Sequence, residues 1–373
     1  MSDERLLATF LDLVRIDSPS FHESAMAERC SDELRELGFE VTIDDSARIT
    51  GSDTGNIVAT LPGTVPGCSV AFSGHLDTVD PGIGIEPVVG EDRVVRSAGE
   101  TVLGADDKAG VAAVLEAMRR TVETRRPHAG IQVVLSTAEE RGLLGAKALD
   151  CGLITADLVY VLDAAGDIGD LVTGAPTQYQ FEATFHGTAA HAGVAPETGN
   201  SALVMAAEAV AAMELGRLDA QTTSNIGEIH GGHDTNIVAP EATVTGECRS
   251  LDVHRVEEVK DAMDAAMRRA AERRGGSVDI DWRLAYRGYE VKPHEEVYRL
   301  AAAACEDIGV DPVGYTTGGG ADSNIFAQAG LPTLALACAM RDVHSNGEYL
   351  RIEDLEMLAA LVEAIVGRAV REA

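Results

Sequence analysis

The feature that most constrains this chain is a change of rhythm part-way along it. Up to about residue 162, helical periodicity over 2–14, 22–37 and 107–124 alternates with short β-rich runs at 56–61, 69–74, 131–136 and 158–162. Compact apolar strands interleaved with amphipathic helices predict an α/β sheet covered by helices. From 178 the order changes to a half-exposed strand (178–186), a helix (200–213), two strands (222–230 and 241–251), a helix (255–274) and a strand (277–284). That order, β-α-β-β-α-β, is the ferredoxin-like arrangement. The α/β pattern then resumes with a helix at 294–307, a Gly-rich loop, a strand at 332–337 and a helix at 353–371. The expectation is therefore an α/β domain with a mixed sheet flanked by helices, built from 1–175 and 288–373. A smaller α+β domain, 176–287, is inserted into it.

Length and composition agree with two folded domains. The chain has 373 residues, 45% of them hydrophobic, so a net charge of −31 belongs to the surface of a folded protein and not to a disordered acidic tail. Such a surface repels phosphate backbones and anionic lipid, which excludes nucleic acid and membranes as expected partners. Of 30 basic residues only four are Lys, and an acidic, Lys-poor chain of this kind resembles proteins of a high-salt cytoplasm. Six cysteines are scattered without a C-x-x-C pair, no signal-peptide pattern opens the chain, and no run of 18 apolar residues occurs. A cytoplasmic, soluble protein with reduced thiols is expected.

Polar residues with metal-binding chemistry recur where predicted strands end. Ser73-Gly74-His75-Leu76-Asp77 leaves a strand with His75 and Asp77 on one side, so that the carboxylate can orient the imidazole. Asp106-Asp107 opens a helix, Glu139-Glu140 follows the strand at 131–136, Asp163 ends the strand at 158–162, and His344 lies in Val343-His344-Ser345-Asn346-Gly347-Glu348. Taken singly, each has an ordinary reading as a helix cap, a turn residue or a solvated pair. As a set, His75, Asp106, Glu140, Asp163 and His344 offer two imidazoles and three carboxylates near the carboxyl ends of strands, where open α/β sheets bind ligands. Nitrogen and oxygen donors without thiolate suit a pair of zinc, cobalt or manganese ions.

The segments GHLDTV, LGADDKAG, STAEERG, VLDA and VHSNGEYL, in this order, resemble a metallopeptidase family. It includes peptidase T, glutamate carboxypeptidase, succinyl-diaminopimelate desuccinylase and the zinc aminoacylases, and the resemblance is strongest to the peptidase T-like members. The resemblance implies two divalent metal ions per subunit, with His75 and Asp163 on one, Glu140 and His344 on the other, and Asp106 bridging. It further implies Glu139 as general base on a bridging water, Asp77 as the partner of His75, and a cis peptide bond between Asp106 and Asp107. The inserted domain becomes a lid and dimerisation domain. Within it, Phe185-His186-Gly187-Thr188-Ala189-Ala190-His191 resembles a lid motif whose histidine crosses a dimer to stabilise the oxyanion, which makes His191 the candidate.

Asn236 and Arg249 fall in segments similar to those that bind substrate, and a guanidinium suits a terminal carboxylate through paired hydrogen bonds. Gly319 and Gly320 lie in Gly318-Gly319-Gly320-Ala321-Asp322-Ser323-Asn324, similar to the family's substrate loop, although Ala321 and Ser323 depart from the GG-T-D-G-N form frequent there. The resemblance thus implies a homodimeric aminopeptidase acting on short peptides, of the tripeptidase type. An N-acyl-amino-acid or carboxypeptidase-like hydrolase with the same centre is the alternative, and a non-catalytic metal binder a further one. A base such as Glu139 has no use in the last.

Overall fold

The computed structural model describes residues 2–370 and divides into two compact units. The larger comprises the chain up to Thr173, Glu290–Thr316 and the chain from Ala321 onward; the smaller comprises Gly174–Tyr289 with Thr317–Gly320.

At the centre of the larger unit are four parallel strands, Ile131–Ser136, Val70–His75, Leu158–Ala164 and Thr333–Ala337, adjacent in that order. Antiparallel neighbours extend them on both sides: Ile57–Leu61 and then Glu40–Ile43 beyond the first, Asp170–Ala175 beyond the last. The sheet is mixed, as expected. Central strands covered on both faces read as unbroken apolar runs, and every residue of Val70–His75 and Ile131–Ser136 is buried. Because these strands run parallel, their carboxyl ends emerge together; His75 pairs in register with Ser136.

The helix Ala105–Glu123 packs on this sheet and against the helices Ser2–Val14 and Ile352–Arg368. Its Glu116 is fully buried, yet both carboxylate oxygens are held by Arg5 at 2.9 Å, and Arg120 adds a bond at 2.8 Å. A buried charge persists only when paired in this way.

The smaller unit is an antiparallel sheet ordered Gly216–Arg217, Thr222–Gly231, Glu241–Ser250, Thr177–His186, Ser277–Tyr286. The first long strand lies between the third and the last, which is the ferredoxin-like topology. The helices Ala202–Ala211 and Val253–Arg274 pack against the apolar side of the sheet, where Phe181, Ala183, Phe185, Val244, Cys248 and Val278 form the core with Met205, Met263 and Met267. The second helix begins two residues before the predicted start because Asp252 caps it, accepting from His254 N–H at 2.8 Å. It ends where Gly275 takes φ +71°.

Elements absent from the sequence reading are short and peripheral. They include the strands Glu40–Ile43, Asp170–Ala175 and Val313–Thr316, a three-stranded sheet of Pro87–Val89, Val94–Ser97 and Tyr349–Arg351, and the short helices Ala47–Thr50 and Leu144–Ala148. Glu40–Ile43 and Val313–Thr316 contain no buried residue, so neither carries the apolar signature of a strand. The last helix ends at Arg368, and residue 371 of the predicted span lies outside the described residues.

Candidate metal centre

Four segments at the carboxyl ends of the central strands, with the start of the helix Ala105–Glu123, build one polar cluster inside the larger unit. His75 closes its strand with Nδ1 2.9 Å from Asp77 O and 3.3 Å from Asp77 Oδ1. Its Nε2 lies 3.1 Å from Asp106 Oδ1 and 4.0 Å from Asp163 Oδ1. Asp106 sits where the chain enters its helix with non-helical φ/ψ (−79°, 105°), and the peptide bond to Asp107 is cis. Asp107 turns back, Oδ2 accepting the backbone N–H of His75 at 3.1 Å. A side chain at position 74 would collide with that carboxylate, its Cβ 2.3 Å from Oδ2, so Gly74 is required by the close approach.

Glu139 and Glu140 stand on the single 3-10 turn Glu139–Arg141 that follows the strand Ile131–Ser136. His344, in a loop after Thr333–Ala337, places Nε2 3.0 Å from Glu140 Oε1 and 3.3 Å from Asp106 Oδ2. Potential ligand atoms thus form two triads, His75/Asp106/Asp163 and Asp106/Glu140/His344, each within 4.8 Å and sharing Asp106. Glu139 lies beside them, within the same distance limit of His75 and Glu140. His75 is buried while the His344 side chain is 52% exposed, so the cluster opens to solvent on the His344 side.

Several residues that hold this arrangement carried no signal in the sequence. Asp77 was expected to serve His75 alone; its carboxylate also accepts from the Ser20 hydroxyl at 2.7 Å and from the backbone N–H groups of Glu139 (3.0 Å) and Glu140 (3.3 Å). One buried carboxylate therefore positions a histidine and both glutamates. Glu23 accepts from the N–H of Ala138 and of Phe21, each at 2.9 Å, and both of these residues have positive φ. Asp322 accepts from the Ser136 hydroxyl at 2.5 Å, at the base of the same turn. Apart from the local Phe21–Glu23 bond, spacing along the chain cannot reveal such pairs, because the partners lie 57 to 186 residues apart.

The electrostatics are those of carboxylates crowded out of water. Burial, joined by neighbouring carboxylates, pushes Glu139 and Asp163 well above the usual carboxylate range. Burial works against a charge on His75, but Asp106, Asp77 and Asp163 overcome it and hold the imidazole's pKa well above its ordinary value. Hydrogen bonds to Asp106 and Glu140 push His344 up to about 10. Two imidazoles and three carboxylates, clustered without thiolate around one shared aspartate, fit divalent cations of the zinc, cobalt or manganese type.

The candidate residues of the smaller unit form two groups. His191 is exposed and forms an isolated backbone bridge with Ile237; Ala192 N–H donates to Asn236 O at 2.8 Å, so these two loops run side by side. Arg249 Nε contacts Glu247 at 2.8 Å, and its Nη1 donates to Gly318 O at 3.1 Å, joining the guanidinium to the glycine loop. In that loop Gly319 N–H donates to Thr317 Oγ1 at 3.1 Å. Gly320 packs under Tyr286, whose ring carbon would lie 2.2 Å from a Cβ at this position.

Comparison with known proteins gives a consistent result. Residues 177–275 match the family description "Peptidase dimerisation domain", and residues 56–198 match "Peptidase family M28". The chain is 40% identical to the uncharacterized protein YqjE of Bacillus subtilis, covering all of both chains, and 26% identical to peptidase T of Exiguobacterium sibiricum, covering 93% and 92%. Among solved structures, it is similar to aminopeptidase PepT of Bacillus cereus (40% identity, 98% of each chain, TM-score 0.89). It is likewise similar to a tripeptidase of Staphylococcus aureus (37% identity, 99% of each chain, TM-score 0.95). With five motifs in order along the chain, a shared-aspartate cluster and full-length likeness at this level, the chain belongs to the peptidase T-like metallopeptidases of the M20 family.

Proposed function

We propose that this protein is an aminopeptidase that releases the amino-terminal residue of tripeptides, using two divalent cations. The observation that carries the reading is the pair of triads sharing Asp106 with Glu139 beside them. Likeness to PepT and to a tripeptidase supports the substrate class. His75 and Asp163 would hold one cation, Glu140 and His344 the other, with Asp106 common to both. Cations so held supply a water of lowered pKa and polarise the scissile carbonyl.

Glu139, largely buried and with its pKa raised, takes the proton of the attacking water and returns it to the leaving amine. Asp77 keeps His75 and the Glu139 backbone in register for that transfer. His191, from a second copy of the chain, donates to the developing oxyanion, and Asn236, Arg249, Gly319 and Gly320 bind the substrate's polar ends.

Zinc is the preferred ion, with cobalt or manganese able to take the same donors. Dimerisation through the smaller unit is supported by its match to a peptidase dimerisation domain. A cytoplasmic setting is supported by six cysteines dispersed along the chain without a C-x-x-C pair. The −31 net charge with four Lys among 30 basic residues supports adaptation to concentrated salt.

A kinetic panel of tripeptides, dipeptides and N-acetyl amino acids, run with added Zn, Co or Mn at low and high KCl, tests the reading. Tripeptides with a free amino terminus are the expected best substrates. Preference for N-acetyl amino acids would overturn the tripeptidase assignment.

A further inference from the structure

His344 rides on a loop whose neck is a reciprocal backbone pairing of Arg341 with Tyr349, N···O 3.2 and 3.1 Å. Directly at this neck stands Glu348, whose side chain is 2% exposed. Its backbone N–H donates within the loop, to Ser345 O at 3.1 Å, but its side chain reaches elsewhere. Its carboxylate crosses to a segment more than 240 residues earlier, Oε2 accepting from Leu103 N–H at 2.7 Å and Gly104 N–H at 2.8 Å, and Oε1 from Asp106 N–H at 3.0 Å.

The three donors belong to the turn that enters the helix Ala105–Glu123, where Gly104 has φ +71° and Asp106 is non-helical. N–H groups at a helix start have no partner within the helix, and a neighbouring side chain of the same turn ordinarily accepts from them. No side-chain cap is present at position 104. The acceptor comes instead from the loop that supplies His344, so one carboxylate fixes the relative position of the Asp106 and His344 segments.

We propose that Glu348 is a positioning residue for the cation site formed by Asp106, Glu140 and His344, a role that rests on the two-cation reading above. It acts through backbone, setting the distance between two ligands whose segments are strand-paired away from the ligands themselves, Tyr349–Arg351 with Val94–Ser97. Residues that orient metal ligands in this way typically change affinity 10–100-fold when replaced. Glutamine is nearly isosteric, but its NH2 would face an N–H donor where the carboxylate has an acceptor, so at least one of the three bonds is lost. Asp106 also belongs to the other triad, whose remaining ligands, His75 and Asp163, stand on strands that Glu348 does not touch. The loss therefore concentrates at the Glu140/His344 site.

Calorimetric titration of the metal-free protein with Zn or Mn tests this. Wild type should bind two ions; Glu348→Gln should keep one at wild-type affinity and bind the other about 10–100-fold more weakly, with excess metal restoring hydrolysis. Combined with His344→Ala, Glu348→Gln should weaken that site no further than His344→Ala alone. Two wild-type-like sites in Glu348→Gln would overturn the proposal, as would equal weakening of both. A wild type that binds no divalent ion would break the two-cation reading itself. Should Glu348→Gln fail to fold, amide exchange of metal-free wild type decides: protected Leu103, Gly104 and Asp106 amides support the strap, and rapid exchange there overturns it.

Discussion

The candidate metal-ligand cluster of the larger unit and the candidate substrate residues of the smaller one are built on opposite plans. In the first, His75, Asp77, Asp107 and Glu348 are all at most 2% exposed, and Asp77 accepts from two backbone N–H groups and Glu348 from three. In the second, His191 and Asn236 are exposed and stand in loops joined by backbone contacts alone. Groups that must hold charge in a fixed geometry are frozen by burial and by a surrounding shell of hydrogen bonds, at the cost of crowding like charges. Groups that meet the substrate can remain solvated until it arrives.

Substitutions at the two regions should separate these plans. The largest expected effect is Glu139→Gln, which removes the proton carrier: kcat on a tripeptide should fall about 10³-fold or more while metal content stays at the wild-type level. Loss of metal together with activity would make Glu139 a ligand instead. Next is His191→Ala, expected to lower kcat about 10²–10³-fold without altering metal content or the unfolding temperature. A change confined to KM would reduce His191 to substrate binding. Asp77→Asn disturbs His75 and the Glu139–Glu140 turn together, and equilibrium dialysis should show metal affinity about 10–100-fold lower. Unchanged affinity would remove Asp77 from the positioning shell.

The smallest effect expected is at Asp322, beneath the Glu139 turn. Burial raises its pKa from 3.8 to about 6, so the folded state holds this proton more tightly than the unfolded chain does. Its contribution to stability is therefore complete below pH 3.8 and lost as pH rises through about 6. Asp322→Asn cannot titrate and should flatten the decline in stability of the metal-free protein between pH 4 and 6. Identical pH slopes for the two proteins would contradict this.

What could be read from the sequence follows the same division. The central strands were legible because burial on both faces forces continuous apolar runs, and His75, Asp106, Glu140, Asp163 and His344 because each follows a strand or opens a helix near the same sheet edge. The ferredoxin-like unit was legible from element order alone. The strap from Glu348, the Ser20 and Glu23 contacts and the Asp322–Ser136 pair were not, because a buried polar residue in a motif or loop has no sequence property that names its distant partner. Edge strands such as Glu40–Ile43 escaped because one-sided or absent burial leaves no apolar pattern. The cis bond at Asp106 was expected only through family resemblance; local residue preferences give no hint of it.

Whether two cations share Asp106 is decided by metal stoichiometry. Titration of metal-free protein with Zn or Mn should saturate at two ions per chain in wild type, and Asp106→Asn should weaken both sites, since each triad loses its common ligand. Saturation at a single ion, or an Asp106→Asn protein that still binds two with wild-type affinity, would contradict it.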